Sequence, residues 1–219
     1  MLLYKLWNKY PVYIVQALFL AAAIAFFARP IGDDEAWVGE YAYWLHKDGY
    51  VHSMLMQGYY LHEKHVLTHH YLFLRVTTPL LYLLPWSIFT LRIIPVVFGL
   101  LTLVLMMQFA SRDLRWNRQH VWLVAAVFLA IPVVQEFFTY YRPEFMLSAF
   151  GFASFWILSR KHEKALYMIP AGLLAGFAML SHLNGMVLVF TGCIMLLWHR
   201  QWAGFFVFGF SAFVGFLPY

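Results

Sequence analysis

Residues 91–112 read LRIIPVVFGLLTLVLMMQFASR, and no charged side chain stands between Arg92 and Arg112. A helix needs about 20 apolar residues to cross the roughly 30 Å hydrocarbon core of a bilayer. The stretch therefore predicts a transmembrane helix over Arg92–Ala110. The composition agrees, because 63% of the residues are hydrophobic and only 11% are charged, against roughly 25% charged in soluble domains. We expect an all-α polytopic membrane protein with one transmembrane domain over residues 1–219.

Six further apolar runs predict additional crossings, several of them short enough to imply tilt or partial burial. They are Pro11–Ala28, Val121–Phe138, Phe145–Leu158, Ala165–Leu180, Gly185–Trp198 and Ala203–Pro218. The run Tyr71–Leu91 is ambiguous, because it contains Arg75, Pro79 and Pro85. Two prolines and an arginine favour a broken, interfacial or re-entrant segment over a simple span.

The basic residues favour one of the two resulting topologies. If Tyr71–Leu91 does not cross, one side of the membrane receives nine of the 15 basic residues, all in short loops: Lys5, Lys9, Arg112, Arg115, Arg118, Arg160, Lys161, Lys164 and Arg200. Such an excess is typical of cytoplasmic loops. We therefore predict seven crossings, a cytoplasmic N-terminus, residues 29–70 as an extracytoplasmic loop, and a bacterial inner (cytoplasmic) membrane as the location.

The outer loop contains an amphipathic pattern between residues 34 and 47. Its apolar stripe occupies positions i, i+1, i+4, i+7 and i+8, and consists of Trp37, Val38, Tyr41, Trp44 and Leu45. This spacing predicts a helix lying in the membrane interface. Asp33 is placed to cap it.

Three consecutive carboxylates, Asp33, Asp34 and Glu35, follow the first predicted span directly. Helix capping and the helix dipole account for one or two acids at such a position. A third favours a carboxylate at a membrane-surface active site, acting as a general base or a metal ligand.

Three other clusters fall on the same predicted side. YYRPEF, residues 140–145, contains Arg142 and Glu144, which could also simply pair with each other. His62, His65 and His69 would share one face of a helix, where they could hold a divalent metal or bind lipid headgroups. The last of these clusters is His182, in SHLNG, which could be purely structural. No dense basic patch indicates nucleic-acid binding.

With these residues in view, the chain resembles the N-terminal half of the C-type (GT-C) membrane glycosyltransferases, in particular the protein O-mannosyltransferase and lipid A aminoarabinose transferase group. The resemblance is carried by DDEAWVGEYAYWL after the first span, THHYLFL, LRIIPVVFGLLTLVLMMQFASR, YRPEFMLSAF and AGLLAGFAMLSHLNG, in the family's order. It implies transfer of a sugar from a polyprenyl-phosphate donor to an acceptor hydroxyl, with inversion. Asp34 would match the catalytic base, with Glu35 beside it. The substrate-binding residues would be Lys64, His69, His70, Arg142, Glu144 and His182.

The chain departs from the family pattern in several motifs. His70-Tyr71 replaces two prolines, Glu144 replaces an aspartate and His182 replaces a lysine. Family members are also longer, so we expect either the N-terminal part of a longer chain or a reduced relative. The first hypothesis is therefore a glycosyltransferase, and the alternative is a non-catalytic GT-C-like subunit of a membrane complex. A transporter or channel is less favoured, because its ionisable residues would gather near the bilayer midplane.

Overall fold

The structure, a computed structural model, describes residues 7, 9–68, 70–160 and 165–218. These residues form α-helices and no strand, so the all-α prediction is confirmed. Short 3-10 turns lie at Ala165–Tyr167 and Leu183–Gly185, each directly before an α-helix. The helices are α1 Pro11–Phe27, α2 Asp33–Asp48, α3 Tyr71–Leu83, α4 Ile88–Arg112, α5 Arg118–Ala130, α6 Pro132–Phe138, α7 Glu144–Ser159, α8 Met168–Ser181, α9 Met186–Trp198 and α10 Trp202–Phe216.

Helix length separates α4 from the other helices. Among the described residues α4 alone, with 25 residues, is long and apolar enough to cross a membrane. The bent pair α5–α6 would be a second crossing if it forms one broken span. The remaining apolar helices have 10–17 residues, below the usual length of a straight crossing. The seven crossings therefore stay a prediction.

The predicted span Val121–Phe138 is not one continuous helix, because the helix breaks before Pro132. The axes of α5 and α6 are bent by 76° at this point. Proline has no N–H to donate and its ring clashes with the preceding turn. The Nε2 of Gln135 donates to the carbonyl of Leu129 at 2.7 Å, which satisfies one acceptor freed by the break.

The ambiguous segment Tyr71–Leu91 is also broken, as its prolines predicted. Helix α3 ends at Leu83, and α4 begins at Ile88 after a short extended stretch. Ser87 caps α4 by accepting the N–H of Thr90 at 3.1 Å. Helix α4 thus begins before the predicted start, and Arg92 lies inside it.

The helical face that His62 and His65 would share does not form, because this segment is not helical. Residues 49–68 fold into turns and extended backbone, with left-handed φ angles at Gly58, Tyr60 and Leu61 (80°, 47° and 60°). The loop folds back on itself, since the N–H of Ser53 donates to the carbonyl of His62 at 2.8 Å. His69 lies outside the described residues.

Helix α2 forms where the apolar stripe predicted it, but the stripe is covered by protein. Val38, Tyr41 and Leu45 are 2–3% exposed. They pack in one cluster with Phe73 and Leu74 of α3. This part of the stripe therefore packs against α3, and the position of α2 in the membrane interface stays a prediction.

Candidate functional site

Two of the predicted clusters meet in the folded chain. The acidic start of α2 lies beside the segment between α6 and α7, although the contacting residues are more than 100 positions apart in sequence. The last turn of α1 and the second turn of α4 complete the junction through Arg92. The junction therefore gathers the ends of several apolar helices around a small group of charges.

Asp34 is the more exposed of the two carboxylates that pair with Arg142. Its Oδ2 accepts a hydrogen bond from Nη1 of Arg142 at 2.8 Å, and its side chain is 48% exposed. Within the described part of the chain, its Oδ1 accepts no hydrogen bond. A carboxylate held on one oxygen and open on the other can accept a proton from a bound hydroxyl.

Glu35 has a different environment, because its side chain is completely buried. Its Oε1 accepts Nε of Arg92 and the N–H of Tyr141, both at 2.9 Å, and its Oε2 lies 2.6 Å from Nη2 of Arg92. Burial raises the pKa of Glu35, but the hydrogen bonds from Arg92 and from the Tyr141 and Gly32 N–H groups outweigh it and hold the pKa below its usual range. A carboxylate so enclosed stays charged and joins helices, whereas the neighbouring acid Asp34 is open to solvent.

The N-terminus of α2 is capped by Glu35, which corrects the role expected of Asp33. Helix α2 begins at Asp33 itself, with Gly32 as the N-cap residue. Glu35 reaches back and accepts the N–H of Gly32 at 3.3 Å. Asp33 is exposed, so its charge acts only through the favourable dipole of the helix start.

Arg92 is the central cation of the junction, and no pattern in the sequence identified it. Its side chain is fully buried. Besides Glu35, it donates to the carbonyls of Phe27, Arg29 and Pro30, where α1 ends. One guanidinium thus ties α1, α2 and α4 together. The available signal was its place at the start of the longest apolar run, where an unpaired charge would be costly.

Arg142 and Arg29 flank the ring of Tyr140. Their guanidinium carbons lie 5.9 and 4.2 Å from the ring centroid, within the range of cation–π attraction. Arg142 is also held by Glu144, whose Oε1 lies 2.7 Å from Nη2. The sequence identified Arg142 and Glu144 but missed Arg29, although its place directly after the first apolar run was a signal.

The other two predicted clusters are also brought together, at His70 and His182. Their rings stack with centroids 5.0 Å apart, and Nδ1 of His182 accepts the N–H of Asn184 at 3.0 Å. Helix α3, which begins after His70, connects this pair to the junction, because its Thr77 accepts the hydroxyl of Tyr141 at 2.7 Å.

The remaining predicted residues lie on the outer loop, away from the junction. Lys64 is exposed, and no contact within the described residues links it to Asp34 or Arg142. His62 contacts Tyr59, whereas His65 stacks parallel to Tyr50. Among the described residues no three His, Cys, Asp or Glu side chains are grouped to hold a metal ion. The divalent metal therefore stays a prediction.

No protein-family model, curated protein or solved structure matches the chain. Assignment of chemistry to the junction accordingly depends on its geometry and on the motifs of the sequence.

Proposed function

We propose that this protein is a membrane glycosyltransferase that moves a sugar from a polyprenyl-phosphate donor to an acceptor hydroxyl at the outer membrane face. The observation that carries the proposal is the accessible carboxylate of Asp34, positioned by Arg142 where apolar helices end. A lipid-linked donor would present its phosphosugar at this depth, because its chain stays in the hydrocarbon. The base must therefore lie at the membrane surface.

A bilayer location is supported by the outward faces of α9 and α10. Phe206, Phe210 and Phe213 on α10 are 58–69% exposed. On α9, Ile194 is 63% and Trp198 83% exposed. Soluble monomers rarely expose contiguous apolar patches of this kind, whereas lipid chains cover them without cost.

The proposed reaction uses Asp34 as a general base. The acceptor oxygen attacks the anomeric carbon while Asp34 takes the hydroxyl proton on its open oxygen. The bond between the anomeric carbon and the phosphate oxygen breaks with inversion, and the polyprenyl phosphate leaves as an anion. The guanidinium of Arg142, together with that of Arg29 near the same Tyr140 ring, would stabilise the negative charge that develops on the leaving phosphate.

A second candidate, a non-catalytic subunit with the same architecture, is favoured by one observation. Arg142 already bonds two carboxylates, Asp34 at 2.8 Å and Glu144 at 2.7 Å. Its positive charge is therefore neutralised within the protein, and a donor phosphate would have to displace one of these partners. In a scaffold subunit the same contacts would serve only to hold α2 against α7.

The experiment compares Asp34→Asn with the wild type in transfer from a polyprenyl-phosphate sugar, together with thermal unfolding of each purified protein. Asparagine keeps the shape of aspartate but cannot accept the proton, so we expect a loss of about 10²–10⁴ in rate. We expect nearly unchanged stability, because the half-exposed pair with Arg142 contributes little.

Asp33→Asn is the matched control, since the neighbouring acid is exposed and makes no ion pair within the described residues; its rate should stay close to the wild-type value. Equal transfer rates for wild type and Asp34→Asn would refute the role of Asp34 as the general base. Absence of transfer by the wild type with every lipid-linked sugar offered would favour the scaffold subunit.

A further inference from the structure

A small pocket with several polar lining residues lies at the opposite end of α2 from Asp34. It has a volume of about 230 Å³ and is formed where α2 ends, where the outer loop returns and where α3 begins. Its polar lining comes from Tyr50, His65, Thr68, Tyr71 and Arg75. Leu45, which closes its base, is 11 residues from Asp34 along α2, or about 16 Å. The pocket is therefore separate from the junction described above.

The side chain of Arg75 is held by Tyr71. Its Nε donates to the hydroxyl of Tyr71 at 2.9 Å, and its guanidinium carbon lies 5.0 Å from the centroid of the Tyr71 ring. Within the described residues Nη1 and Nη2 donate no hydrogen bond and remain available. An arginine fork held in this way loses little conformational entropy when it binds an oxyanion.

The charges around the pocket favour an anion. None of the lining residues that the structure describes is acidic, and the first turn of α3 contains no acid. The neighbouring carboxylate of Asp48 is directed to Nε2 of His52 at 2.8 Å instead. Arg75 thus differs from Arg142, whose charge is already balanced by two carboxylates.

The side walls of the pocket favour a small headgroup over a hydrocarbon chain. The rings of Tyr50 and His65 are parallel within 8° with centroids 6.4 Å apart, and both are exposed at the rim. The volume of about 230 Å³ is below the roughly 300–1,000 Å³ of pockets that enclose whole drug-sized ligands. His65 adds a ring N–H that can donate to a second oxygen of the same anion.

We propose that this pocket binds a phosphate group, with Arg75 as its main ligand and His65 as a second donor. The phosphate comes either from a phospholipid headgroup or from free phosphate. This site does not depend on the proposed glycosyl transfer, because it shares no residue with the junction around Asp34.

The test uses the full chain purified in a neutral maltoside detergent. Isothermal titration with inorganic phosphate measures the free anion, and native mass spectrometry with added phosphatidylglycerol counts bound lipids. Arg75→Gln removes the charge from an exposed side chain, so the fold should be retained. We expect the substitution to lower the affinity for whichever probe binds by about tenfold or more, since the hydrogen bonds lost are to a charged partner.

Arg118→Gln is the matched control, because Arg118 is an exposed arginine at the start of α5, and it should leave binding unchanged. Inorganic phosphate binding that is lost only in Arg75→Gln supports the site with free phosphate as its source. Phospholipid binding lost only in that variant supports a headgroup. Equal weakening in both variants, or no binding of either probe, overturns the proposal.

Discussion

Replacing Arg92 with methionine tests the buried junction most directly. Methionine retains much of the length of the side chain while removing its charge and all of its donors. In the wild type these donors bond both oxygens of Glu35 and three backbone carbonyls at the end of α1. After the substitution, Glu35 keeps only the N–H groups of Tyr141 at 2.9 Å and Gly32 at 3.3 Å.

The expected loss of stability is large because Glu35 has no exposure to solvent. Removing one partner of a buried ion pair leaves an uncompensated charge and costs about 3–5 kcal/mol. For a chain of this size, that corresponds to a decrease in Tm of roughly 6–20 °C. Arg142→Met is the matched control, since its pair with Asp34 has side chains that are 29% and 48% exposed. It should cost only about 0–1 kcal/mol.

The assay is thermal unfolding in detergent, followed by the helical circular dichroism signal between pH 7 and pH 3. The native state holds the pKa of Glu35 below the value of about 4.3 for an unfolded glutamate. The unfolded chain therefore binds more protons in this range, and the free energy of unfolding falls as the pH falls. The contribution of Glu35 is fully present above about pH 4.3 and is lost as the pH drops through the lowered native pKa.

Arg92→Met should remove this loss of stability at low pH, because burial raises the pKa of Glu35 and only the N–H groups of Tyr141 and Gly32 then oppose that rise. The double variant Glu35→Gln, Arg92→Met should cost less than the two single variants combined, since no charge is then left alone. A Tm change for Arg92→Met no larger than that of Arg142→Met would refute the view that the buried pair holds the helices together.

Two further predictions concern packing inside the described chain. Tyr141→Phe should reduce the free energy of unfolding by about 1–2 kcal/mol, because its hydroxyl donates to Thr77 at 2.7 Å in a buried contact; an unchanged Tm would contradict it. Gly176→Ala should cost about 1–3 kcal/mol, since its new Cβ would lie 2.3 Å from the carbonyl oxygen of Ala212 and force α8 away from α10. Gly209→Ala is the control, with its nearest atom 3.9 Å away, and equal Tm values for the two variants would show that the helices do not pack this closely.

Several local features followed from the sequence. The all-α architecture followed from continuous apolar runs, and α2 followed from the stripe that includes Val38, Tyr41 and Leu45. The break after Leu83 followed from Pro85. Each of these depends on side chains within a few residues of one another, because helix periodicity and proline geometry are local properties of the chain.

Other local inferences failed where a local signal was misjudged. The break before Pro132 was overlooked because the apolar run continues across it. The spacing of His62 and His65 would place them on one face only in a helix, but Gly58 and its left-handed neighbours turn the chain back. The stripe of α2 predicted the helix itself, but such a pattern identifies an apolar face without identifying what covers it.

The difference in burial between Asp34 and Glu35 was decided by tertiary structure alone. In the sequence these are adjacent acids, and their positions do not show which of them is buried. The folded chain buries Glu35 against Arg92, 57 positions away, and leaves Asp34 half-exposed beside Arg142, 108 positions away. Successive residues on a helix point about 100° apart, so the docking of α4 and α7 onto α2 encloses one carboxylate and leaves its neighbour open to solvent.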